Sequence, residues 1–330
     1  MPSKIAINGL GRIGRAVLKI VLDTPELELV AVNDIVPADN LAYLLKYDTV
    51  YGRYERHVEA EEDALIIDGE RYPVFNEKDP ANLPWADLGV DIAVESTGVF
   101  TRGEELRKHI EAGARHAILS APVRSANGDP EVLTVVHGVN SPDDPPQVIS
   151  CASCTTNCIT PVVEIMGRRI GIKKAMLTTI HAYTSSQAIV DSPAKSWRRG
   201  RAGAANLVPT STGAAAATTK ALPEYEGRFD GVAIRAPVTV GSISDLVFIT
   251  ERETTKEEIN DLFRDEARSE RYRDVVTASD DPLVSSDIIK DSHAAIIDLS
   301  MTMVVGGDLV KVMAWYDNEW GYASQLVREA

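Results

Sequence analysis

The residues whose types and spacing could do chemistry crowd into "SCASCTTNC", residues 150–158, which holds all three cysteines of the 330-residue chain: Cys151, Cys154 and Cys158. Such a cluster can be a disulfide, a metal clip, a redox pair, or one nucleophile with two bystanders. A zinc site wants a second Cys or His pair at ligand spacing, and none lies nearby, so no metal is expected. Cys151-x-x-Cys154 is formally a redox motif, yet it lies late in the chain and away from a thioredoxin-like opening. In the following "CTTNCITPVVEIMGRR", Ile159, Val162, Val163 and Met166 recur at helical spacing, with Ser153 placed as the N-cap. Cys154 then sits in the first turn, where free amides and the positive end of the dipole stabilise a thiolate. Cys158, one turn further on the same face, is placed for burial, which makes a thiol inert, and Cys151 precedes the helix at a strand end. Cys154 is the expected nucleophile; three structural thiols is the competing reading.

A nucleophile needs a base. "KKAMLTTIHAYT" reads as an apolar strand, Ala175 to Ile180, delivering His181 at its carboxyl end. A histidine after a strand is commonly structural, but paired in space with a helix-start cysteine it can shuttle protons. "SWRRGRAGAANLVPTSTGAAAATTKAL" joins Arg198, Arg199 and Arg201 to a Thr-Ser-Thr-Gly turn opening an alanine-rich helix, and "GVAIRAPVTV" sets Arg235 in a strand. Arginines, hydroxyls and a helix N-terminus suit a phosphate; a solvated basic loop has the same composition.

The elements that must position these groups fall into two parts, because 330 residues exceed what one core supports. In "KIAINGLGRIGRAVLKIVLD" a short strand (Ile5 to Asn8) meets a helix through Gly9, Gly11 and Gly14, a G-x-G-x-x-G in the context a dinucleotide pyrophosphate requires. A second strand, "ELVAVND", ends at Asp34, about 20 residues after Gly14, where a carboxylate accepts from a ribose 2′-hydroxyl and repels a 2′-phosphate. NAD is thus expected over NADP. A strand Ile92 to Val94, a helical pattern Gly103 to Ala112 and a strand ending at Ser120 continue the alternation, so a doubly wound parallel sheet is expected through about residue 150. Ser96, Thr97, Gly98 and Ser120 then fall at carboxyl ends of strands, where ligands bind.

Composition narrows the function classes. Hydrophobic content of 44% with 25% charged residues is that of a soluble globular protein, and no apolar run approaches a bilayer span. The N-terminus shows no signal-peptide pattern, so a cytoplasmic protein with reduced thiols is expected. A net charge of −15 argues against nucleic acid as a partner.

These segments, taken in order as "INGLGRIGR", "AVND", "ESTGVF", "SAP", "ASCTTNC", "TTIHAYT", "VPTSTGAA", "DGVAIRAPV" and "WYDNEWGY", closely resemble the phosphorylating glyceraldehyde-3-phosphate dehydrogenase family of the bacterial and eukaryotic type. The resemblance implies a Rossmann NAD-binding domain over 1–153 and an α+β catalytic domain with a mixed sheet over 154–317, with a last helix, about 318–330, packing back on the first. It implies that Cys154 attacks the aldehyde, that His181 takes the hydroxyl proton, and that inorganic phosphate cleaves the thioester to an acyl phosphate. One anion subsite would match Thr184, Arg235 and the nearby Asp191; the other would match Ser153, Thr155, Thr212, Gly213 and Arg199. Cofactor contacts would fall on Arg12, Ile13, Asp34, Thr97, Ser120 and Asn318. The segment from about Ala182 to Val208 would reach a neighbouring subunit in a homotetramer.

Two departures stand out. Cys151 occupies a place where many members of the family have Asn, which puts a second thiol close to the nucleophile and raises oxidative Cys151–Cys154 pairing. Ser192 in "VDSPAKSW" stands where strict NAD users often carry Leu, a change that can admit NADP, against the tendency of Asp34. Erythrose-4-phosphate dehydrogenase is the alternative activity, although its relatives usually lack the intact "TSTG" turn. A nucleotide- or RNA-binding module with idle chemistry is the alternative class; it predicts function indifferent to Cys154→Ser.

Overall fold

The computed structural model describes residues 1–124 and 132–330. The chain divides into two compact units, one of residues 1–135, 141–152 and 326–330, the other of 136–140 and 153–325.

In the first unit, nine strands among the described residues form one sheet. Ser3–Asn8 lies centrally, parallel to Leu27–Asn33 on one side and to Ile92–Glu95 on the other. Beyond Ile92–Glu95 follow His116–Leu119, Val148–Ser150 and Leu133–Thr134, all parallel. Strand order reverses at Ser3–Asn8, which makes its carboxyl end the crevice of a Rossmann-type sheet. The far edge is an antiparallel addition, Glu70–Phe75, Ala64–Ile67 and Val58–Glu61, that periodicity did not announce. The central strands are apolar on both faces, with Ile5, Ala6 and Ile7 fully buried, as a sheet covered on two sides requires.

In the second unit a mixed eight-stranded sheet packs against the helix Cys154–Arg169. Ser153 is the N-cap, its hydroxyl accepting from Thr156 N at 3.2 Å. The apolar stripe of the helix, including Cys158, Ile159, Val162 and Met166, is buried with Leu246, Phe248 and Phe263. Each such side chain contributes about 1.5–3 kcal/mol of transfer free energy, so the position of the helix start is set by the core. The histidine strand runs longer than its apolar run, Ile172–Ala182, and takes His181 into the ladder. There His181 is paired in parallel register with Arg235 on Phe229–Ala236. The last helix is Trp320–Glu329, and Leu326–Ala330 group with the first unit.

Candidate active site and nucleotide groove

The first unit carries a groove of about 460 Å³ at the strand-order reversal, lined in part by Gly9, Gly11, Asp34, Glu77, Thr97 and Phe100. Gly9 has φ +93°, and a Cβ there would lie 2.7 Å from Thr97 N; a Cβ on Gly14 would lie 1.9 Å from Gly9 O. A Cβ on Gly11 would meet nothing within 4 Å. The first and third glycines thus close the turn, and the second leaves its surface open to a ligand. The helix Arg12–Leu22 starts directly after Gly11, so Arg12, Ile13 and Gly14 present amides without intrahelical partners. The Arg12 guanidinium is itself paired with Asp48 and lies over the Tyr51 ring at 5.4 Å, which leaves Arg12 its amide for a phosphate. Asp34 Oδ2 accepts from Leu10 N at 2.7 Å and Oδ1 from Val36 N at 3.0 Å. These bonds hold the carboxylate on the groove wall. Ile35, Val36, Val99 and Phe100 supply the apolar surface a flat base needs. Thr97 and Ser120 follow the strands Ile92–Glu95 and His116–Leu119. Glycine cradle, amide cluster, carboxylate and apolar slot together fit a dinucleotide.

The second unit brings Cys154 and His181 together: Sγ lies 3.3 Å from Nε2. Two groups compete for Nδ1. Ala182 O, an acceptor, stands at 2.7 Å, and Arg235 Nη1, a donor, also at 2.7 Å. Nδ1 donates to the carbonyl when protonated and accepts from the guanidinium when not. Burial, then the Arg235 charge, pushes the imidazole down to about 3. Burial also pushes the Cys154 thiol up, while the Arg235 charge and the Thr155 amide pull it down. Burial thus favours the neutral form of both groups, while the Arg235 charge and the helix-start amide favour the thiolate. Cys151 and Cys158 are buried, and burial raises both thiols far above their ordinary range.

Around this pair lies a concentration of anion-binding groups. Arg235 Nε is buried without a hydrogen-bond partner, and the Arg199 charge reaches Arg235. Arg199 Nη1 donates to Ser186 Oγ at 3.2 Å and Nε to Thr210 Oγ1 at 3.2 Å; Ser186 Oγ lies 2.9 Å from Thr184 Oγ1. Ser186 thus joins Thr184 to Arg199, whose charge reaches Arg235; sequence reasoning missed it because a serine in "TSSQ" carries no signal of its own. Asp191 is engaged elsewhere in the loop. Its carboxylate accepts from Arg201 Nε at 2.7 Å and Ala202 N at 3.0 Å in an exposed loop, and a carboxylate repels phosphate. Thr212 Oγ1 accepts from Ala214 N at 3.2 Å, and Gly213 caps the helix Ala214–Ala221, so that turn keeps its amide end. Ser153 stays partly exposed, whereas the Thr155 hydroxyl is buried 2.8 Å from Tyr316 Oη. Thr155 can therefore serve an anion through its amide at the helix start. Tyr316, also unforeseen, bonds Thr179 Oγ1 at 2.9 Å and stands edge-on to the His181 ring at 6.0 Å. Asn318 is buried, its Oδ1 accepting from Gly241 N at 3.2 Å and Ser242 Oγ at 3.0 Å, which orients its amide.

A dinucleotide-binding unit and a Cys–His unit in one chain define the class of NAD-dependent dehydrogenases that work through a covalent thiol. Residues 3–103 match "Glyceraldehyde 3-phosphate dehydrogenase, NAD binding domain" and residues 153–318 match "Glyceraldehyde 3-phosphate dehydrogenase, C-terminal domain". The chain belongs to the glyceraldehyde 3-phosphate dehydrogenase family. It is similar to proteins named glyceraldehyde-3-phosphate dehydrogenase from Streptomyces coelicolor (45% identical) and Geobacillus stearothermophilus (45%), each alignment covering 99% of this chain and 97% of the relative. The one from Thermotoga maritima is 47% identical over 98% of this chain and 97% of its own length.

Proposed function

We propose that this enzyme oxidises glyceraldehyde 3-phosphate with NAD and inorganic phosphate to 1,3-bisphosphoglycerate, in glycolysis or its reverse. The observation that carries the reading is the 3.3 Å contact of Cys154 Sγ with His181 Nε2 beside the unpartnered guanidinium nitrogen of Arg235. Cys154 Sγ adds to the aldehyde carbon as its proton passes by way of His181 Nε2 to the carbonyl oxygen, which leaves the imidazole neutral and the new hydroxyl held near it. His181 Nε2 takes the hydroxyl proton as that carbon is oxidised, and Tyr316, edge-on, keeps the ring in place. NAD, when bound, supplies the hydride acceptor. The resulting Cys154 thioester retains the oxidation energy until a phosphate oxygen attacks its carbonyl carbon and the C–S bond breaks, releasing the acyl phosphate and the Cys154 thiolate. Thr184, Ser186 and Arg235 hold the phosphate of the substrate, and Ser153, the Thr155 amide, Thr212, Gly213 and Arg199 receive the attacking phosphate. Gly9, Gly11, Arg12, Ile13, Gly14, Asp34, Thr97 and Ser120 hold NAD, and Asn318 orients its carboxamide.

We further infer a cytoplasmic homotetramer. Among the described residues no helix is long and apolar enough to cross a membrane. Met176, Val232, Met303, Val305 and Leu309 leave an apolar sheet face exposed, and Ile189, Val190 and Trp197 stand out from the segment proposed to reach a neighbouring subunit. The names of the relatives favour this reading over erythrose-4-phosphate dehydrogenase.

The test is the rate of NADH formation from glyceraldehyde 3-phosphate with and without inorganic phosphate, run alongside NADP and erythrose 4-phosphate. A strict phosphate requirement with NAD preferred is expected. Phosphate-independent turnover, or preference for erythrose 4-phosphate, overturns the acyl-phosphate assignment.

A further inference from the structure

The floor of the nucleotide groove is a buried hydrogen-bond chain whose direction is set from both ends. Glu95 ends the strand Ile92–Glu95 with no exposed surface. Its carboxylate meets Asn8 Nδ2 at 2.6 Å, His109 Nε2 at 3.1 Å, Thr97 N at 2.8 Å and the Thr97 hydroxyl. At one end of the chain the Trp85 indole N–H, which can only donate, stands 3.1 Å from His109 Nδ1. That bond puts the lone pair on Nδ1 and the proton on Nε2, facing Glu95. At the other end Glu77 N donates to Asn33 Oδ1 at 2.9 Å, and Asn33 Nδ2 donates to Glu77 O at 2.9 Å. Asn33 Nδ2 also donates to Asn8 Oδ1 at 2.7 Å, which turns Asn8 Nδ2 toward Glu95. Neither an indole nor a backbone amide can exchange roles, so the Asn8 amide, the His109 ring and the Thr97 N–H must face Glu95 as donors, and the Thr97 hydroxyl donates to it as well.

We propose that Glu95 is a positioning residue for the cofactor, an obligate acceptor that holds Thr97 and Asn8 in the shape that binds NAD, with Trp85 acting through His109 to keep it so. The hold extends to the glycine turn. Ser96 Oγ donates to Gly9 O at 2.7 Å, and the Thr97 backbone fills the place a Gly9 side chain would need. The inference rests on the groove being the site of NAD.

Glu95→Gln keeps the shape and sets an amide NH2 against donors. His109 cannot turn its proton to Nδ1 to accept it, because Nδ1–H would then face the Trp85 N–H. Trp85→Phe removes that block and lets the ring offer Nε2 as an acceptor. By calorimetric titration of the full chain with NAD, Glu95→Gln is expected to bind about tenfold more weakly, the loss appearing in KM for NAD rather than in kcat. The double variant is expected to bind about threefold tighter than Glu95→Gln alone, a non-additivity that loss of packing does not produce. Asp34→Ala serves as the control for the groove. Unaltered NAD affinity in Asp34→Ala overturns the placement of NAD. Weakened binding there, combined with wild-type affinity in Glu95→Gln or no recovery in the double variant, overturns the role of Glu95 alone. If Glu95→Gln does not fold, recovery of NAD-binding protein in the double variant is the expected result, and its failure overturns the proposal.

Discussion

His181 and Arg235 are register partners on adjacent parallel strands, and Arg235 Nη1 lies 2.7 Å from His181 Nδ1. A cation against the ring that must take a proton restrains the base until an anion arrives. A substrate phosphate that draws the guanidinium away leaves Nδ1 to donate to Ala182 O, and Nε2 then carries the lone pair toward the reacting oxygen.

Arg235→Leu is therefore expected to raise the His181 pKa from about 3, although burial, the larger cause of the depression, remains. The sign follows from charge: removing a positive neighbour favours imidazolium, so more of the base is already protonated at a given acid pH. The acid limb of kcat/KM moves to higher pH. The measurement is the pH profile with unphosphorylated glyceraldehyde at saturating inorganic phosphate, because that substrate carries no phosphate of its own for Arg235 to hold. An acid limb that stays in place would show that the Arg235 charge does not govern the ring.

The thiols divide by environment. Cys151 and Cys158 are buried with their thiols pushed up, whereas Cys154 is partly exposed and faces a proton acceptor. Mild peroxide is expected to convert Cys154 alone to sulfenic and then sulfinic acid, with Cys151 recovered as thiol in a peptide map. A Cys151–Cys154 disulfide in that map would instead favour the oxidative pairing that the departure at Cys151 raised.

Ser186 bonds Arg199 and lies against Thr184, whereas Asp191, which the family resemblance placed near the phosphate, is paired with Arg201. Removing one hydroxyl from a charged anion cluster costs about 1 kcal/mol, or roughly fivefold. Ser186→Ala is thus expected to raise KM for glyceraldehyde 3-phosphate by about that factor with NAD affinity unchanged. Asp191→Asn, which loses an exposed ion pair with Arg201, is expected to leave KM within about twofold. Steady-state kinetics on both variants decides, and the reverse ranking would return Asp191 to the phosphate site.

What short-range rules govern could be read from the residues in order. Gly9 and Gly14 are demanded by a turn whose backbone passes too close for a Cβ. Ser153 caps the next helix, and that cap places Cys154 in the first turn. Asp34 follows its strand at the distance a βαβ unit dictates. These features depend on residues within a turn or two of each other, so spacing alone reveals them.

Which strands are neighbours, and hence which side chains meet, depends on long-range pairing within the folded sheets. Arg235 reaches His181 because their strands lie side by side in parallel register, a pairing across 54 residues that no local pattern encodes. The lengthening of the histidine strand to Ala182 has the same origin, since ladder bonds to its neighbours continue past the apolar run. Ser186 gains meaning only against Arg199, and Glu95 only where Asn8, Thr97 and His109 converge. Burial then turns these meetings into chemistry, because a charge or a donor removed from water acts on its neighbour at full strength.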